Sequence, residues 1–267
     1  MRAYRVLETL ILFGMLVGGS QAAAAGEAES LIEQANASRQ LGNTIQTIAL
    51  TQTSKSGTVK ERVLVTHTRT VDGLEQSHAM FTSPEELAGV QFLRVQRQGA
   101  EDDKWMYMPV NDGVNRIAGT SRTRSFMGTD FSYEDMELGD VGSGTHELLG
   151  TETVEVGGSP VACHKIATVP AAGIETAYGK LVTWIAEDGK VPRQILMYDR
   201  DGTTEAKRLT FEAVTTEGSR TVATRLRMEN LKKGTSTLLM VTDYRLDVPA
   251  EELPDRLFDS ARLAENL

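Results

Sequence analysis

Arg116–Met136 reads RIAGTSRTRSFMGTDFSYEDM. On both sides of it the chain alternates apolar and polar residues between tight turns, the period of two that marks half-buried strands. Inside it the alternation stops. Three arginines, Arg116, Arg122 and Arg124, lead into a small-residue loop and then into Phe126, Met127, Phe131 and Tyr133, set among Asp130, Glu134 and Asp135. A β-meander interrupted once, by a segment with aromatics and both charge signs, points to a plug or lid laid on a sheet.

The meander begins at Thr44. Glycine-bearing turns recur, among them Ser56-Gly57, Asp72-Gly73, Asp112-Gly113, Gly157-Gly158, Asp201-Gly202 and Lys233-Gly234. Several are pairs that tight hairpins prefer, because glycine accepts the positive φ of those turns. The strands between them are long beside the usual ~5–6 residues, and sequential antiparallel strands of such length curl into a twisted sheet or barrel. In one of them Val63, Val65, His67 and Val71 share one side while Arg62, Leu64, Thr66 and Thr68 share the other. Apolar residues on one face and Thr, Lys, Arg and Glu on the other predict a sheet dry inside and wet on its convex side. An outer-membrane barrel needs an apolar exterior with aromatic girdles. With 6% aromatic residues, and Arg225, Arg227, Lys232 and Lys233 in or beside the strands, the chain does not fit that class. Met80, Met106, Met108, Met197, Met228 and Met240 all fall in strands and are expected on the concave face. Methionine either fills a core or lines an adaptable apolar site, and both readings stand.

Ahead of the meander, Ala28–Leu41 has Ala28, Leu31, Ile32, Ala35 and Leu41 near one helical face, with Gly42 as the stop. Residues 1–25 read as a cleaved signal peptide: Arg2 and Arg5, an apolar run from Val6 to Val17, then small residues ending in Ala22–Ala25. That run is shorter than the ~20 residues of a membrane span, and no cysteine follows it for lipid attachment. Residues 26–267 are then one exported, periplasmic domain. The 267 residues carry a formal charge of −9. Without residues 1–25, which hold two arginines and one glutamate, 26 basic face 36 acidic residues, a charge of −10. An acidic chain disfavours nucleic acid as a partner and adhesion to anionic headgroups, and leaves neutral or apolar ligands. Cys163 is the single cysteine, so no intrachain disulfide forms, and a buried small hydrophobe is its expected role.

Five stretches carry a family resemblance: FTSPEELAGVQFLRV at 81–95, DDKWMYMPVNDGVNRIAG at 102–119, SFMGTDFSYEDM at 125–136, YGKLVTWIAEDGKVPRQILMYDRDG at 178–202, and TSTLLMVTDYRLDVPAEELPDRLFDSARL at 235–263. Together they resemble the LolA-like outer membrane lipoprotein-sorting proteins, in the subgroup with the SFMGTDFSYEDM motif, distinct from the sorting chaperone LolA itself. The resemblance implies a mainly β fold, a LolA/LolB-like incomplete antiparallel β-barrel of about eleven strands in a meander. Helices would cover its open, apolar concave side. It further implies handling of lipid or lipoprotein acyl chains in the periplasm, and association with an inner-membrane transporter of the resistance-nodulation-division (RND) type.

With that in view, Gly119–Met136 is expected to be a lid whose Phe126, Met127, Phe131 and Tyr133 touch the cavity or an acyl chain, together with Met106, Met108, Met228 and Met240. Arg116, Arg122 and Arg124 either meet an anionic headgroup at the rim through the guanidinium fork or pair with Asp130, Glu134 and Asp135. Gly128 is expected in a tight turn, and Asp130 as the cap of a helical turn over Phe131–Met136. The four histidines are scattered, with no HExxH, no metal-ligand spacing, no GxSxG, no phosphate loop and no dinucleotide fingerprint. The expectation is therefore a carrier with no catalytic residue, metal or cofactor. The alternative is a periplasmic adaptor or lipid sensor docked on a transporter.

Overall fold

The computed structural model describes residues 17–137, 144–189 and 191–266. One antiparallel sheet of thirteen strands dominates it, in the order β6-β5-β4-β3-β2-β1-β13-β12-β11-β10-β9-β8-β7. The first half is a meander running outward from the centre. It comprises β1 (Thr44–Thr53), β2 (Val59–Val71), β3 (Leu74–Ser83), β4 (Gln91–Val95), β5 (Asp103–Met108) and β6 (Gly113–Arg116). The chain then jumps to the opposite edge and returns through β7 (Gly144–Val156), β8 (Ser159–Pro170), β9 (Tyr178–Ala186), β10 (Pro192–Asp199), β11 (Glu205–Glu217), β12 (Arg220–Asn230) and β13 (Thr235–Leu246). There β13 pairs with β1, from Thr44 opposite Leu246 to Thr53 opposite Ser236. The edges β6 and β7 do not meet, so the sheet is an incomplete barrel. Thirteen strands stand where about eleven were expected, because 91–116 divides into three short strands. At Asp72-Gly73 both residues have positive φ, 51° and 78°, the geometry of the expected hairpin turn.

The concave face holds the main core, where Leu50, Leu64, Phe81, Phe92, Ile195, Met197, Phe211 and Met228 are buried together. Helix α1 (Val17–Ser38) lays Ala28, Ile32 and Ala35 on this core and touches β7 and β12. It ends three residues before the expected Leu41 and runs through 22–25, where cleavage was expected. The rest of the expected leader, residues 1–16, lies outside the described residues. Among the described residues no helix is long and apolar enough to cross a membrane.

The face assignment in β2 is the reverse of the one expected. Leu64 is buried in the concave core and Arg62 is also buried, whereas Val63 and Val65 are half-buried on the other side. The reason is that the convex face is not uniformly wet. Over β3–β5 it is covered by the C-terminal segment, whose Val248, Leu253, Leu257, Phe258 and Leu263 pack on Leu93, Val95 and Tyr107. Arg69 stacks on Phe258 at 4.2 Å and donates to Asp255 at 2.6 Å. Beneath the segment His78 Nε2 meets Gln91 Oε1 at 2.8 Å, and Gln91 Nε2 donates to the Leu263 carbonyl at 2.8 Å. At the other end the tip of the β7–β8 hairpin folds over β10 and β11 and closes Val154, Val156 and Cys163 onto Val182, Trp184 and Leu196. Cys163 is fully buried there, and burial pushes its thiol up to about 11.

Burial holds the His78 imidazole down at about 4, against an ordinary 6.5, and the nearby His67, also lowered by burial, adds to the effect. The unfolded chain therefore binds the extra proton between those values, so stability is complete above about pH 6.5 and falls as pH drops toward 4. On the order of 3 kcal/mol is involved at about 1.4 kcal/mol per pH unit. Urea unfolding of wild type and His78→Gln between pH 7 and pH 4 should show a difference that shrinks by roughly that amount. A constant difference would mean that folding does not keep His78 neutral.

Candidate functional site

Because β6 and β7 lie on opposite edges, residues 117–143 must connect them, and the described part, 117–137, lies across the concave opening. Its centre is a miniature hairpin: Phe126 N–H donates to the Phe131 carbonyl at 2.7 Å and Tyr133 N–H to that of Arg124 at 3.2 Å. Thr129 N–H closes the turn on the Phe126 carbonyl at 3.0 Å, with φ of 48° at Met127 and 75° at Gly128. Both central residues have positive φ, so Gly128 does supply the turn. The Thr129 and Ser125 hydroxyls hold the strained Met127 position by donating to the Phe126 and Thr129 carbonyls.

The hairpin has an apolar side and a polar side. On the apolar side Phe126, Phe131 and Tyr133 are buried in the main core. Phe126 lies 5.7 Å from Phe81 of β3 and 5.6 Å from Phe92 of β4, and Tyr133 packs on both Phe92 and Phe126. The Tyr133 hydroxyl donates to Met106 Sδ at 3.4 Å. Met127 is partly buried against the same cluster.

On the polar side three buried carboxylates reach the other half of the sheet. Asp130 accepts from the hydroxyls of Thr235 and, at 2.8 Å, of Thr237 on β13. Glu134 accepts from the Thr176 hydroxyl and, at 3.1 Å, from the Ala177 N–H at the entry to β9. Asp135 accepts from Tyr178 of β9 at 2.7 Å and forms an ion pair of 2.6 Å with Lys207 of β11. Burial pushes the Glu134 carboxyl above the ordinary range, with the Thr176 and Ala177 bonds opposing. Burial, with Asp135 next to it, also raises the Tyr178 phenol.

These partners correct two expectations. Arg116, Arg122 and Arg124 do not pair with Asp130, Glu134 and Asp135. Arg116 donates to Asp103 at 2.6 Å and Arg122 to Glu101 at 2.5 Å, while Arg124 is exposed. The carboxylates find their donors on the sheet, and Arg122 comes near enough to Glu134, across the cleft that both line, to act on its charge without pairing with it. Nor does Asp130 cap the turn. Ser132 does, in a reciprocal box in which its N–H donates to Asp135 Oδ2 at 2.6 Å and its hydroxyl accepts from the Asp135 N–H at 3.3 Å. The Ser-x-x-Asp spacing of 132–135 was the available signal.

The methionines divide by strand parity. Met106, Met108, Met197 and Met228 lie on the concave core. Met240 does not: it pairs with Arg225 on the convex side and is 39% exposed, and Met80 shares the outer side with His78. Register decides this, since one residue along a strand changes the face, and Thr237 and Leu239 take the inner positions of β13.

Between the hairpin and the sheet remains an apolar cavity of about 150 Å³, lined by Leu50, Leu64, Ala79, Phe92, Phe126 and Phe131. Arg94, bridging Glu75 at 2.9 Å and Asp102 at 2.7 Å, lines both this cavity and a more open cleft of about 870 Å³ between the β4–β5 and β8–β9 loops. Sequence reasoning missed Arg94, Lys207, Tyr178 and the Thr235–Thr237 pair. Only the last had a signal, two hydroxyls on one face of a strand.

The open antiparallel sheet is shared with solved LolA-like structures, so the resemblance read in the sequence holds for the fold. Residues 73–265 match the model of a family described as an uncharacterized protein, and the chain belongs to that family. It is similar to a DUF1329 family protein from Desulfovibrio piger, with 26% identity and a TM-score of 0.82 over 90% of this chain and 99% of that one. An outer membrane lipoprotein-sorting domain from Vibrio parahaemolyticus is 24% identical, with a TM-score of 0.77 over 90% and 99% of the two chains. A LolA superfamily protein from Nitrosomonas europaea is 19% identical, with a TM-score of 0.65 over 85% and 97%. No curated protein matches the sequence.

Breaking a buried ion pair by removing one partner costs about 3 kcal/mol or more, because the other charge is stranded. Asp135→Ala and Lys207→Ala should each lower unfolding free energy by about that much, and the double variant by clearly less than their sum. Urea denaturation of the four proteins measures it. Additive losses would show that the pair does not anchor the crossover.

Proposed function

We propose that this protein is a periplasmic carrier that shields the acyl chains of lipids or lipoproteins on the concave face, beneath a lid formed by Gly119–Met136. The carrying observation is that Phe126 and Phe131 line a residual apolar cavity on the concave face. At about 30 Å³ per small group, 150 Å³ admits about five, far fewer than a sixteen-carbon chain. This is then the closed arrangement, and cargo enters as the aromatic side of the lid gives way. Each methylene leaving water gains ~0.8 kcal/mol, so a sixteen-carbon chain gains on the order of 10 kcal/mol before ordering costs. That is enough to replace the contacts of two rings. The Arg94 bridge is the wall between the cavity and the larger cleft, and opening it would lengthen the apolar track. Delivery to or from the outer membrane, with an inner-membrane RND-type transporter as partner, completes the reading and rests on the sequence resemblance. The lipoprotein-sorting description of the Vibrio relative is consistent with such cargo.

A second reading is a non-carrying adaptor on a transporter. It is favoured by the tight filling of the core around Met197 and Met228, both fully buried.

Native mass spectrometry of protein purified from a bacterial periplasm, followed by lipid extraction, separates the two. The carrier should hold close to one acylated molecule per chain, or take up a fluorescent sixteen-carbon fatty acid when emptied. A protein that is empty and takes up none is an adaptor. In the same assay Phe131→Asp, which sets a carboxylate where the chain would lie, should bind at least about tenfold more weakly. If it folds and retains wild-type uptake, the lid assignment is wrong.

A further inference from the structure

Arg62 lies on the concave face of β2, one step along that face from Leu64 and directly opposite Leu50 of β1, both of which line the apolar cavity. It is only 7% exposed. Its Nε and Nη1 are buried without a hydrogen-bond partner among the described residues. Its Nη2 lies 3.3 Å from where a Cβ on Gly128 would sit, so the guanidinium is tucked under the lid turn at a residue that has no side chain to cover it. Gly128 itself is exposed. Among the described residues the charge that acts on Arg62 is that of Glu86, an exposed residue at the same end of the sheet, and it forms no ion pair with the guanidinium. Burial lowers the Arg62 pKa, the expected effect on a cation removed from water, and the Glu86 charge offsets it only in part.

A buried charge is ordinarily paired, because a stranded one is costly. The carboxylates of the crossover obey that rule, each with its donors, and Arg62 departs from it. Its fork of donors suits a planar carboxylate or a phosphate.

We infer that Arg62 is an anion-binding residue at the end of the apolar cavity, reached past Gly128, which takes the carboxylate or phosphate of an amphiphile whose chain occupies the cavity. The inference rests on the carrier reading for the chain, but not for the anion. It differs from the rim site expected at Arg116, Arg122 and Arg124, since two of those arginines already hold carboxylates.

The test compares palmitate with methyl palmitate as competitors of a fluorescent sixteen-carbon fatty acid. Alongside it, the urea midpoint is measured with inorganic phosphate or acetate added, since an anion held only by the native state raises it. Wild type should prefer palmitate by at least about tenfold, the worth of one charged hydrogen bond. Arg62→Gln should bind the two alike while keeping its affinity for the ester. The variant should also unfold no earlier than wild type, because it relieves a stranded charge; a purely structural arginine would show the opposite. A midpoint raised by phosphate or acetate in wild type and not in Arg62→Gln identifies a free anion as a ligand of the same residue. If wild type shows no preference for the acid and no shift with either anion, the anion site is overturned, and the carrier reading survives if the ester binds. If neither palmitate nor ester binds but phosphate shifts the midpoint, the carrier reading fails and the anion site stands. The wild-type comparisons decide the matter even if the variant does not fold.

Discussion

An open sheet of thirteen strands leaves its two edges unjoined, and the chain itself must cross between them. That crossing exposes backbone and charged side chains to an apolar concave face, where each polar group needs a partner. The polar side of the crossover meets that demand with Asp130, Glu134 and Asp135, whose donors come from β13, from the entry to β9 and from β11. The aromatic side needs no such donors and settles on β3 and β4. The crossover thus ties together the two halves of the sheet, beside the β1–β13 pairing and the C-terminal segment that runs from β13 onto β3–β5.

The two convex clusters matter for the same reason. If the curvature of the sheet depended on its concave filling alone, anything that displaced that filling would loosen the fold. The C-terminal segment clamps β3–β5 from outside, and the folded tip of the β7–β8 hairpin does the same for β8–β10. Each cluster has its own buried apolar residues, so the curvature is held from the outside as well. On the carrier reading, a face that exchanges its contents needs that independence.

The meander was legible because its signals are local: alternation within strands, and Asp-Gly or Gly-Gly at the turns. The special character of 116–136 was legible as well, since a loss of alternation beside aromatics is a sequence property. Which face each strand shows is not. The alternation in β2 groups Arg62 and Leu64 with the threonines of the expected wet side, because a strand's own pattern does not say which face a distant segment covers. Residues 248–263, far from β2 in sequence, turn the convex side into an interior. Met240 was misplaced for a related reason, because the inner positions of β13 go to Thr237, which serves a carboxylate more than a hundred residues away. Charge pairing misled in the same manner. Arg122 stands close to Glu134 in sequence and lines the same cleft, yet its ion pair is with Glu101, while Glu134 is held by Thr176 and Ala177.

The division of the crossover also fixes how it can open. Acyl methylenes replace ring-to-ring contacts at little net cost, since both are apolar burial. They supply no donor for Asp130 or Asp135, and no acceptor for Lys207. Cargo that lifted the polar side would strand a buried ion pair, whereas cargo that lifted the aromatic side would exchange one apolar contact for another. On the carrier reading, therefore, the hairpin parts from Phe81 and Phe92 and pivots on β9, β11 and β13. The first space it uncovers is the cavity beside Leu50 and Leu64, with the unpaired guanidinium of Arg62 at its end.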